Sequence, residues 1–536
     1  MVATDQAIAS RIGAAVLERG GNAVDAAVAV SFALGVTRPH STGLGGGGFM
    51  IARLADGRVF VFDYRERAPL GASADMYDRA QSLHPGGPSP SRYSRLAVGT
   101  PGVLAGLFEA HRQLGSLHFG ELITPAIRLA ENGFAVDRHY VDATVQVREV
   151  YEKYPGLKQS CPYVYHVHLR DGNLRRVGDT LRQPRLGRLL RAIRRDGPAV
   201  FYQGRVAKSI AGDMKHNGGL LTARDLADYR VARRQPLRST YRDCELITMP
   251  PPSSGGVCLI ESLNVLEHTD LGGLWRRDQA AAYHYMIEAM KHGFADRARW
   301  LADADFVSVP VGLLTSKPYA AELAAAIDPD GVQPIDTYGA VQIPDDDGTS
   351  HYSIVDAAGN CVVATETINT SFGSLAAIDE WGLILNNEMD DFSARASKPN
   401  YYGLIQSPRN APEPLKRPLS SMTPVIVLRS GKPVLLLGAS GGPRIISSVL
   451  DVMVNSIVLD MDPRAAMTAP RVHHQWMPDT VFFDQPISPA LRAGLVRRGH
   501  NVSEQTRSGV VQAVYVGPEG LTGVSDPHKG GAPAGY

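Results

Sequence analysis

The sequence has 536 residues, of which 44% are hydrophobic, and this composition is ordinary for a globular protein with a large core. Its 55 lysine and arginine residues balance 54 aspartate and glutamate residues. The resulting net charge of +1 argues against a nucleic-acid-binding protein, which needs a clustered basic face. No run of about 18 apolar residues is present, so we predict no membrane-spanning helix. The chain opens on a helical pattern without a signal peptide, which leaves a cytoplasmic protein or an export segment upstream.

The four cysteines are Cys161, Cys244, Cys258 and Cys361. They form no CxxC pattern, which argues against a zinc or redox site. Cys258 and Cys361 stand in apolar runs that are typical of buried thiols. The sequence does not decide whether Cys161 and Cys244 form a disulfide.

The first elements in the chain are two helices and a strand pair. Apolar residues recur at helix spacing over residues 8–16, and Gly20 ends this pattern. Asn22 is placed to cap a second helix, residues 23–34, whose alanine-rich sequence is apolar on every side and therefore predicts burial. The segments FMIARL and VFVFDY then predict two strands.

Helical patterns dominate the middle of the chain, and strand pairs follow a linker. Helices are predicted through most of residues 103–232, over residues 257–266 and over residues 279–301. Residues 327–348 are rich in Pro, Gly and Asp and read as a linker. Three hairpins follow, HYSIVD with CVVATETIN, PVIVL with PVLLLGA, and VQAVYVG with LTGVSD, and one long amphipathic helix begins at RIISS. This pattern predicts sheets packed between layers of helices.

Two motifs suggest cofactors, and neither has the right context. Gly43, Gly45 and Gly48 satisfy GxGxxG, but a strand follows this motif instead of preceding it, so dinucleotide binding is not predicted. Two close histidine pairs lack acidic or cysteine partners, which favours packing or surface roles over metal binding. These pairs are His166 with His168 and His473 with His474.

A GxSxG motif supports a rival interpretation. Residues 438–442 read GASGG, with a predicted strand before and a helix after, as in the nucleophile elbow of an α/β-hydrolase. Ser440 would then be the nucleophile, and a histidine downstream would be its base. Three histidines are available: His473, His474 and His500.

The end of the linker suggests a different nucleophile. Gly348 closes the linker and Thr349 opens the next strand. A threonine hydroxyl needs a base at neutral pH. Cutting the bond between these residues would give Thr349 a free α-amine with a pKa of about 7.7–8.0, which is partly neutral and able to take the hydroxyl proton. Gly348 suits such a junction because it has no Cβ, which permits strained dihedral angles and a close approach of the hydroxyl to its carbonyl.

Motifs along the whole chain resemble those of the γ-glutamyltranspeptidases, in order and spacing. The second half contains GTSHYSIVDAAGN, TINTSFGS, LNNEMDDFS, KRPLSSMTP and GASGGPRI. The first half contains GGNAVDAAVAVSFALGVTRP, GLGGGGFM, DYRERAP, GTPG, PPPSSGG and ADRARWLADADF. The resemblance implies the mixed α/β fold of N-terminal nucleophile hydrolases, a four-layer αββα sandwich. It also implies self-cleavage into a large subunit, residues 1–348, and a small subunit, residues 349–536, that remain one interleaved heterodimer.

The resemblance further implies roles for individual residues. The catalytic set is Thr349 as nucleophile, Thr367 as its hydrogen-bond partner, and Gly441 and Gly442 as the oxyanion hole. The substrate α-ammonium would be bound by Asn369, Glu388 and Asp391, and the α-carboxylate by Arg65, Ser420 and Ser421. We expect Thr365, Thr367 and Asn369 to face one side of a strand. Tyr402 matches an aromatic gate in the lid over the glutamyl pocket.

The implied reaction is ping-pong transfer of a γ-glutamyl group from glutathione or a related donor to water, an amino acid or a dipeptide. It needs no metal or organic cofactor, no nucleic acid and no membrane span. Family resemblance also suggests a periplasmic or secreted protein. Two rivals share the fold. One is a related amidase such as a cephalosporin acylase, which should differ at the ammonium and carboxylate sites. The other is an uncut, inactive paralogue that acts by binding.

Overall fold

The strands place two sheets at the centre of the protein. The computed structural model describes residues 1–335, 338, 348–393, 407–504 and 508–536. In these ranges the strands are β1 Val2–Thr4, β2 Gly47–Arg53, β3 Val59–Asp63, β4 Phe134–Ala135, β5 Thr180–Leu181, β6 Ala232–Arg234, β7 Leu237–Tyr241, β8 Cys244–Thr248, β9 Ser350–Val355, β10 Cys361–Thr367, β11 Ala377–Ile378, β12 Leu383–Ile384, β13 Val425–Arg429, β14 Lys432–Ser440, β15 Val472–His473, β16 Val481–Phe483, β17 Val502–Glu504, β18 Val510–Gly517 and β19 Gly520–Ser525.

The helices cover the outer faces of these sheets. They are α1 Ala7–Glu18, α2 Ala23–Thr37, α3 Met76–Leu83, α4 Val103–Leu114, α5 Phe119–Asn132, α6 Arg138–Lys153, α7 Leu157–Ser160, α8 Pro184–Asp196, α9 Ala199–Tyr202, α10 Arg205–His216, α11 Ala223–Ala227, α12 Gly255–Leu266, α13 Leu271–Arg277, α14 Gln279–Trp300, α15 Val311–Leu314, α16 Lys317–Ala326, α17 Arg444–Met453, α18 Pro463–Thr468 and α19 Pro489–Arg497. In the part of the chain that the structure describes, no helix is long and apolar enough to cross a bilayer.

Two six-stranded sheets face each other. The first has the order β1-β9-β10-β2-β3-β6 and the second the order β19-β18-β14-β13-β8-β7, with antiparallel pairing throughout. Strands β9 and β10 pack on β14 of the opposite sheet, while α2 covers the outside of the first sheet and α17 the outside of the second. The predicted four-layer αββα sandwich is therefore the observed architecture.

Strand β2 shows why both faces of the first sheet are apolar. All seven of its residues are buried. Met50 and Ala52 belong to the core beneath the α2 helix, and Phe49 and Ile51 belong to the core shared with the second sheet. Because neighbouring side chains of a strand point to opposite faces, a strand between two layers must be apolar at almost every position.

The second helix is confirmed at its predicted start. The Asn22 side chain accepts hydrogen bonds from the N–H groups of Val24 and Asp25, and the Asp25 carboxylate accepts one from the Asn22 N–H. This reciprocal cap satisfies donors that the first helical turn leaves unpaired. The helix is buried along nearly its whole length, as its apolar sequence predicts.

The structure adds two edge strands to the predicted ones and decides the state of the cysteines. Strands β6 and β7, one at the edge of each sheet, were not predicted, since their alternating polar residues are partly exposed. All four cysteines are buried free thiols, so Cys161 and Cys244 form no disulfide.

Candidate active site

Thr349 stands immediately before strand β9 and is buried, with 3% of the residue exposed. Its hydroxyl donates a hydrogen bond to the carbonyl oxygen of Gly348, so the hydroxyl oxygen lies against the peptide bond that joins the two residues. The φ angle of Thr349 is 155°, a sparsely populated conformation for a β-branched residue that costs about 1–3 kcal/mol. Contact and strain therefore coincide at the Gly348–Thr349 bond.

Gly348 is required by close packing. A Cβ atom at this position would lie 2.1 Å from the carbonyl oxygen of Asn369, a distance at which no side chain fits. The expected approach of the Thr349 hydroxyl to the Gly348 carbonyl is present. The strained φ angle, however, is found at Thr349 and not at Gly348.

Thr367 lies beside the Thr349 hydroxyl. It is the last residue of strand β10, and the two hydroxyl oxygens are 3.1 Å apart. The backbone N–H of Asn369 donates to the Thr367 hydroxyl at 2.8 Å and holds this side chain against Thr349. The neighbouring strands β9 and β10 thus bring together two hydroxyl groups that are 18 residues apart in the sequence.

Asn369 reaches the site by a turn and not by strand alternation. Strand β10 ends at Thr367, and Asn369 follows with a φ of 73°, a left-handed conformation that asparagine tolerates better than most residues. Thr365 shares the strand face with Thr367, but its hydroxyl pairs with His351 Nδ1 at 2.7 Å. Burial lowers the pKa of His351 to about 3, so this imidazole is neutral. The predicted common face therefore does not extend to Asn369.

Arg65 is fully buried and joins the two acidic residues of the predicted ammonium site. Its guanidinium pairs with Glu388, and its NH2 atom is 2.6 Å from Asp391 Oδ2. Its Nε donates to the carbonyl of Pro418 at 3.2 Å. Burial opposes the charge on Arg65, but the attraction of the surrounding carboxylates is stronger and raises its pKa. Arg65 and the neighbouring Glu66 do not form a surface ion pair, because both side chains are buried.

The carboxyl groups around Arg65 outnumber its single positive charge. Glu66, Glu388 and Asp391 surround the guanidinium. Burial raises the pKa of Glu66 to about 7 and raises the pKa values of Glu388 and Asp391 above their usual range. A buried group of this kind is stabilised by a further cation or by protons. The arrangement therefore suits a ligand that carries a small positive charge.

Ser420 and Ser421 line one cavity together with Thr349 and Arg65. The backbone of Ser420 also forms an isolated parallel β-bridge with Ser253. The Ser420 hydroxyl accepts a hydrogen bond from the Met422 N–H at 3.1 Å. The Ser421 hydroxyl accepts one from Arg297 NH2 at 3.4 Å. Both hydroxyl groups are thus oriented by donors behind them.

Gly441 and Gly442 connect strand β14 to helix α17 in backbone conformations with φ angles of 123° and 54°. Within the described ranges, neither backbone N–H has a hydrogen-bond acceptor, which is the property that an oxyanion hole requires. Gly442 lines the same cavity as Thr349.

Ser440, the rival nucleophile, is not paired with a base. Its hydroxyl accepts a hydrogen bond from Lys529 Nζ at 3.0 Å. The three candidate histidines have other partners: His473 pairs with Ser447 and Gln475, His474 with Asp479, and His500 with His284. The α/β-hydrolase interpretation is therefore wrong.

The site residues enclose a small cavity of about 20 Å³, room for roughly one water molecule. Its lining consists of Arg65, Thr349, Thr367, Asn369, Glu388, Asp391, Ser420, Ser421, Met422, Gly442 and Ile445. Gly441 adjoins it, and Tyr402 lies outside the described residues. A larger groove of about 950 Å³ lies elsewhere, beside α3 and α7, and contains none of the candidate catalytic residues.

The structure adds residues to the site that no sequence motif indicates. Lys529 Nζ donates to the carbonyl of Thr349, and it lies 3.1 Å from Asp5 Oδ2. Met422 and Ile445 supply apolar lining. These residues come from distant parts of the chain and carry no recognisable motif, so only their contacts reveal them.

One cluster elsewhere has the composition of a metal site. His284, Glu288 and His500 are buried close together. Both oxygens of Glu288 are already bonded, one by Lys291 Nζ at 2.7 Å and the other by the Tyr338 hydroxyl. The Glu288 carboxylate is therefore already paired with a side-chain cation.

Known proteins resemble this chain over its whole length. It is 41% identical over 536 residues to the glutathione hydrolase proenzyme of Escherichia coli, which covers 99% of this chain and 90% of that protein. A cephalosporin acylase structure from Bacillus halodurans matches with a TM-score of 0.86 and 26% identity, covering 100% of this chain and 95% of that one. A γ-glutamyltranspeptidase structure from Helicobacter pylori matches with a TM-score of 0.56 and 42% identity, over 61% of this chain and 91% of that one.

These likenesses agree with the four-layer sandwich and with the fold of N-terminal nucleophile hydrolases that the motifs implied. The sequence model of the family described as gamma-glutamyltranspeptidase matches residues 9–536. The chain therefore belongs to the γ-glutamyltranspeptidase family and is an enzyme of that type.

Proposed function

We propose that the first reaction of this protein is cleavage of its own chain between Gly348 and Thr349. The Thr349 hydroxyl attacks the Gly348 carbonyl carbon, and the C–N bond breaks as the amine takes a proton, leaving an ester between the two residues. Water then hydrolyses the ester to a Gly348 carboxylate and a free Thr349. The contact of the hydroxyl with this carbonyl and the strained φ angle of Thr349 support the proposal.

The new α-amine of Thr349 then acts as the base for its own hydroxyl. Its pKa of about 7.7–8.0 keeps a useful neutral fraction at physiological pH. The Thr367 hydroxyl, 3.1 Å from the nucleophilic oxygen, orients it.

The two products of the cut, residues 1–348 and 349–536, stay together as a heterodimer. In the first sheet, β9 and β10 of the small subunit lie between β1 and β2 of the large subunit. In the second sheet, β13 pairs with β8 across the same boundary. Separation would break these ladders and open both apolar cores, so cleavage of one peptide bond leaves the globule intact.

The substrate is a compound with a γ-glutamyl amide, such as glutathione. Its α-carboxylate replaces Glu388 and Asp391 as the partner of Arg65. Its α-ammonium replaces Arg65 as the partner of those two carboxylates and also contacts Asn369. The ion pairs of Arg65 with the two carboxylates are thus exchanged for ion pairs with the zwitterion. The excess of carboxyl groups around Arg65 supports the ammonium site, since a cation among these buried groups favours their charged forms.

Transfer then proceeds through a γ-glutamyl ester of Thr349. The Thr349 oxygen attacks the γ-carbonyl, and the negative oxygen that forms is stabilised by the N–H groups of Gly441 and Gly442. The amide bond breaks, and the amine, Cys-Gly from glutathione, leaves with a proton. Water or the amine of an amino acid or dipeptide attacks the ester and regenerates Thr349.

An acylase is the second candidate, because the fold matches a cephalosporin acylase along the whole chain. Such an enzyme is expected to differ at the ammonium and carboxylate sites. The convergence of Glu388, Asp391 and Asn369 on one cavity favours the γ-glutamyl substrate.

By family resemblance alone, we place the enzyme in the periplasm or outside the cell, which fractionation of cells would test.

The observation that carries the proposal is the shared cavity of Thr349, Arg65 and Asp391. The test is release of a chromogenic amine from a γ-glutamyl anilide, with and without glycylglycine. We expect release by the processed protein, faster release with the acceptor, and none from Thr349→Ala. Release from Thr349→Ala at the wild-type rate would refute the assigned nucleophile.

A further inference from the structure

The PPPSSGG motif, which has no role in the reaction described above, clamps the segment that carries Ser420 and Ser421. The N–H and the hydroxyl of Ser254 both donate to the Ser420 carbonyl, at 2.7 and 2.6 Å. The Ser253 hydroxyl donates to the Met422 carbonyl at 2.5 Å. A Cβ atom at Gly255 would lie 2.1 Å from the Thr423 hydroxyl, so only glycine allows this approach. The start of α12 therefore fixes the backbone of the serine pair.

The ADRARW motif places a second arginine behind this clamp. Arg297 lies on α14 and is 2% exposed. Its Nε donates to the Ser254 hydroxyl at 2.9 Å, and its NH2 donates to the Ser421 hydroxyl at 3.4 Å. One guanidinium thus holds Ser421 directly and Ser420 through Ser254.

These contacts decide where the serine protons point. A hydroxyl has one proton to donate, and its lone pairs accept. Arg297 donates to the Ser421 oxygen, and the Met422 N–H donates to the Ser420 oxygen. Among the described residues, neither serine hydroxyl donates a hydrogen bond of its own, although both serines line the cavity. Both protons are therefore available to an anion in the cavity.

In the part of the chain that the structure describes, the guanidinium of Arg297 has no carboxylate in direct contact, and the charge of Asp391 acts on it from farther away. Within the described ranges, no carboxylate oxygen lies within 4.0 Å of its guanidinium, and its NH1 atom is buried without a hydrogen bond. Burial lowers its pKa to about 10, so it remains charged at neutral pH. A buried cation without an anion in direct contact is costly, and an anionic ligand bound beside it would reduce that cost.

We propose that Arg297 is a positioning residue for the substrate α-carboxylate, acting through the hydroxyl of Ser421 and, by way of Ser254, through the backbone of Ser420. The inference rests on the proposed γ-glutamyl site and adds a residue behind it. Arg65 contacts the carboxylate, and Arg297 orients the Ser421 hydroxyl and fixes the backbone of Ser420, the two serines that complete its binding. The two arginines also place two positive charges beside one anion.

The test compares three anilides that differ at the α-carbon: γ-glutamyl, 4-aminobutyryl, which lacks the α-carboxylate, and glutaryl, which lacks the α-amine. In Arg297→Gln we expect KM for the γ-glutamyl anilide to rise about 10-fold to 100-fold, the range for loss of a charged hydrogen bond, with little change in kcat. The 4-aminobutyryl anilide should be hardly affected, so preference for the α-carboxylate falls. Arg297→Lys should restore part of the preference for the α-carboxylate, and Ser254→Ala should lower this preference less than Arg297→Gln does.

Two controls separate positioning from general damage. Lys291 is another buried cation of helix α14, and it does not line the cavity. Lys291→Met should therefore leave the ratio of kcat/KM for the γ-glutamyl and 4-aminobutyryl anilides unchanged. In a Ser421→Ala background, Arg297→Gln should cost much less than it does alone, because the group through which it acts is gone. Equal losses on all three anilides, or full additivity with Ser421→Ala, would overturn the proposal.

Calorimetric binding of L-glutamate to the processed proteins distinguishes this inference from the proposed function. We expect wild-type protein to bind L-glutamate and Arg297→Gln to bind it about 10-fold to 100-fold more weakly. Equal binding by the two proteins would reject the role of Arg297 and leave the γ-glutamyl site standing. Absence of binding by the wild-type protein would reject both.

Discussion

Arg65 and Asp391 form a buried ion pair, with NH2 and Oδ2 separated by 2.6 Å. One residue is proposed to bind the carboxylate of the substrate and the other its ammonium group. The pair therefore has to separate when a zwitterion enters. Such an exchange is favourable only for a ligand that supplies both charges, because a ligand with one charge leaves a buried residue without its partner.

This relationship predicts selectivity for a free α-amine. Wild-type enzyme should reject glutaryl anilides strongly. Asp391→Asn should lower kcat/KM for γ-glutamyl substrates more than for glutaryl ones, so the difference between the two substrates becomes smaller. The measurement is kcat/KM for both anilides in both proteins. Equal use of the two anilides by wild-type enzyme would favour the acylase alternative.

Arg65→Lys should fail to restore recognition of the carboxylate. A lysine is a point charge and cannot replace a guanidinium that reaches Glu388 and Asp391 at once and has the fork geometry for a carboxylate. We expect kcat/KM to fall by an amount equivalent to about 2–5 kcal/mol of binding free energy, mainly because KM rises. Self-cleavage, followed on a denaturing gel, should continue. Normal binding of γ-glutamyl donors by Arg65→Ala would show that this role is wrong.

Self-cleavage should produce a small fragment that begins Thr-Ser-His-Tyr, which N-terminal sequencing would read directly. Thr349→Ala should remain a single inactive chain, because it has no hydroxyl to attack the Gly348 carbonyl. Thr349→Ser keeps the hydroxyl and should be processed. Any other N-terminus on the small fragment would contradict the assignment.

Gly348→Ala should slow self-cleavage while the fold is kept. The added Cβ would meet the Asn369 carbonyl oxygen at 2.1 Å, so the backbone at the junction must shift away from the attacking hydroxyl. The measurement is the rate at which the precursor band disappears. Gly212→Ala is a matched control, because Gly212 lies on helix α10 and no atom lies within 4 Å of its Cβ position. Wild-type processing by Gly348→Ala would show that close packing is unimportant there.

Stability should carry a pH dependence from Glu66. Burial raises its folded-state pKa from 4.5 to about 7, so between these values the native protein binds a proton that the unfolded chain has lost. The stabilisation is present at low pH and declines as the pH rises to about 7, by at most about 1.4 kcal/mol per pH unit. The difference in unfolding free energy between Thr349→Ala and Thr349→Ala/Glu66→Gln, from urea titrations at pH 5 to 8, should show this slope. Parallel profiles would contradict it.

Local sequence signals determined much of the fold. The Asn22 cap, the hairpin of β9 with β10, and the helices α12 and α14 each follow from neighbouring residues, because caps, turns and periodicity act over a few positions. The linker-to-strand junction drew attention to Thr349, but its role as nucleophile came from the family motifs and stays a prediction.

The tertiary structure alone decided which distant groups meet. It paired Arg65 with Glu388 and Asp391 more than 300 residues away, placed Asn369 by a turn after β10 had ended, and brought Lys529 to the Thr349 carbonyl. Such contacts depend on how two sheets stack and where loops cross them. No local pattern records them, because the burial that makes a lone charge costly is a property of the packed molecule.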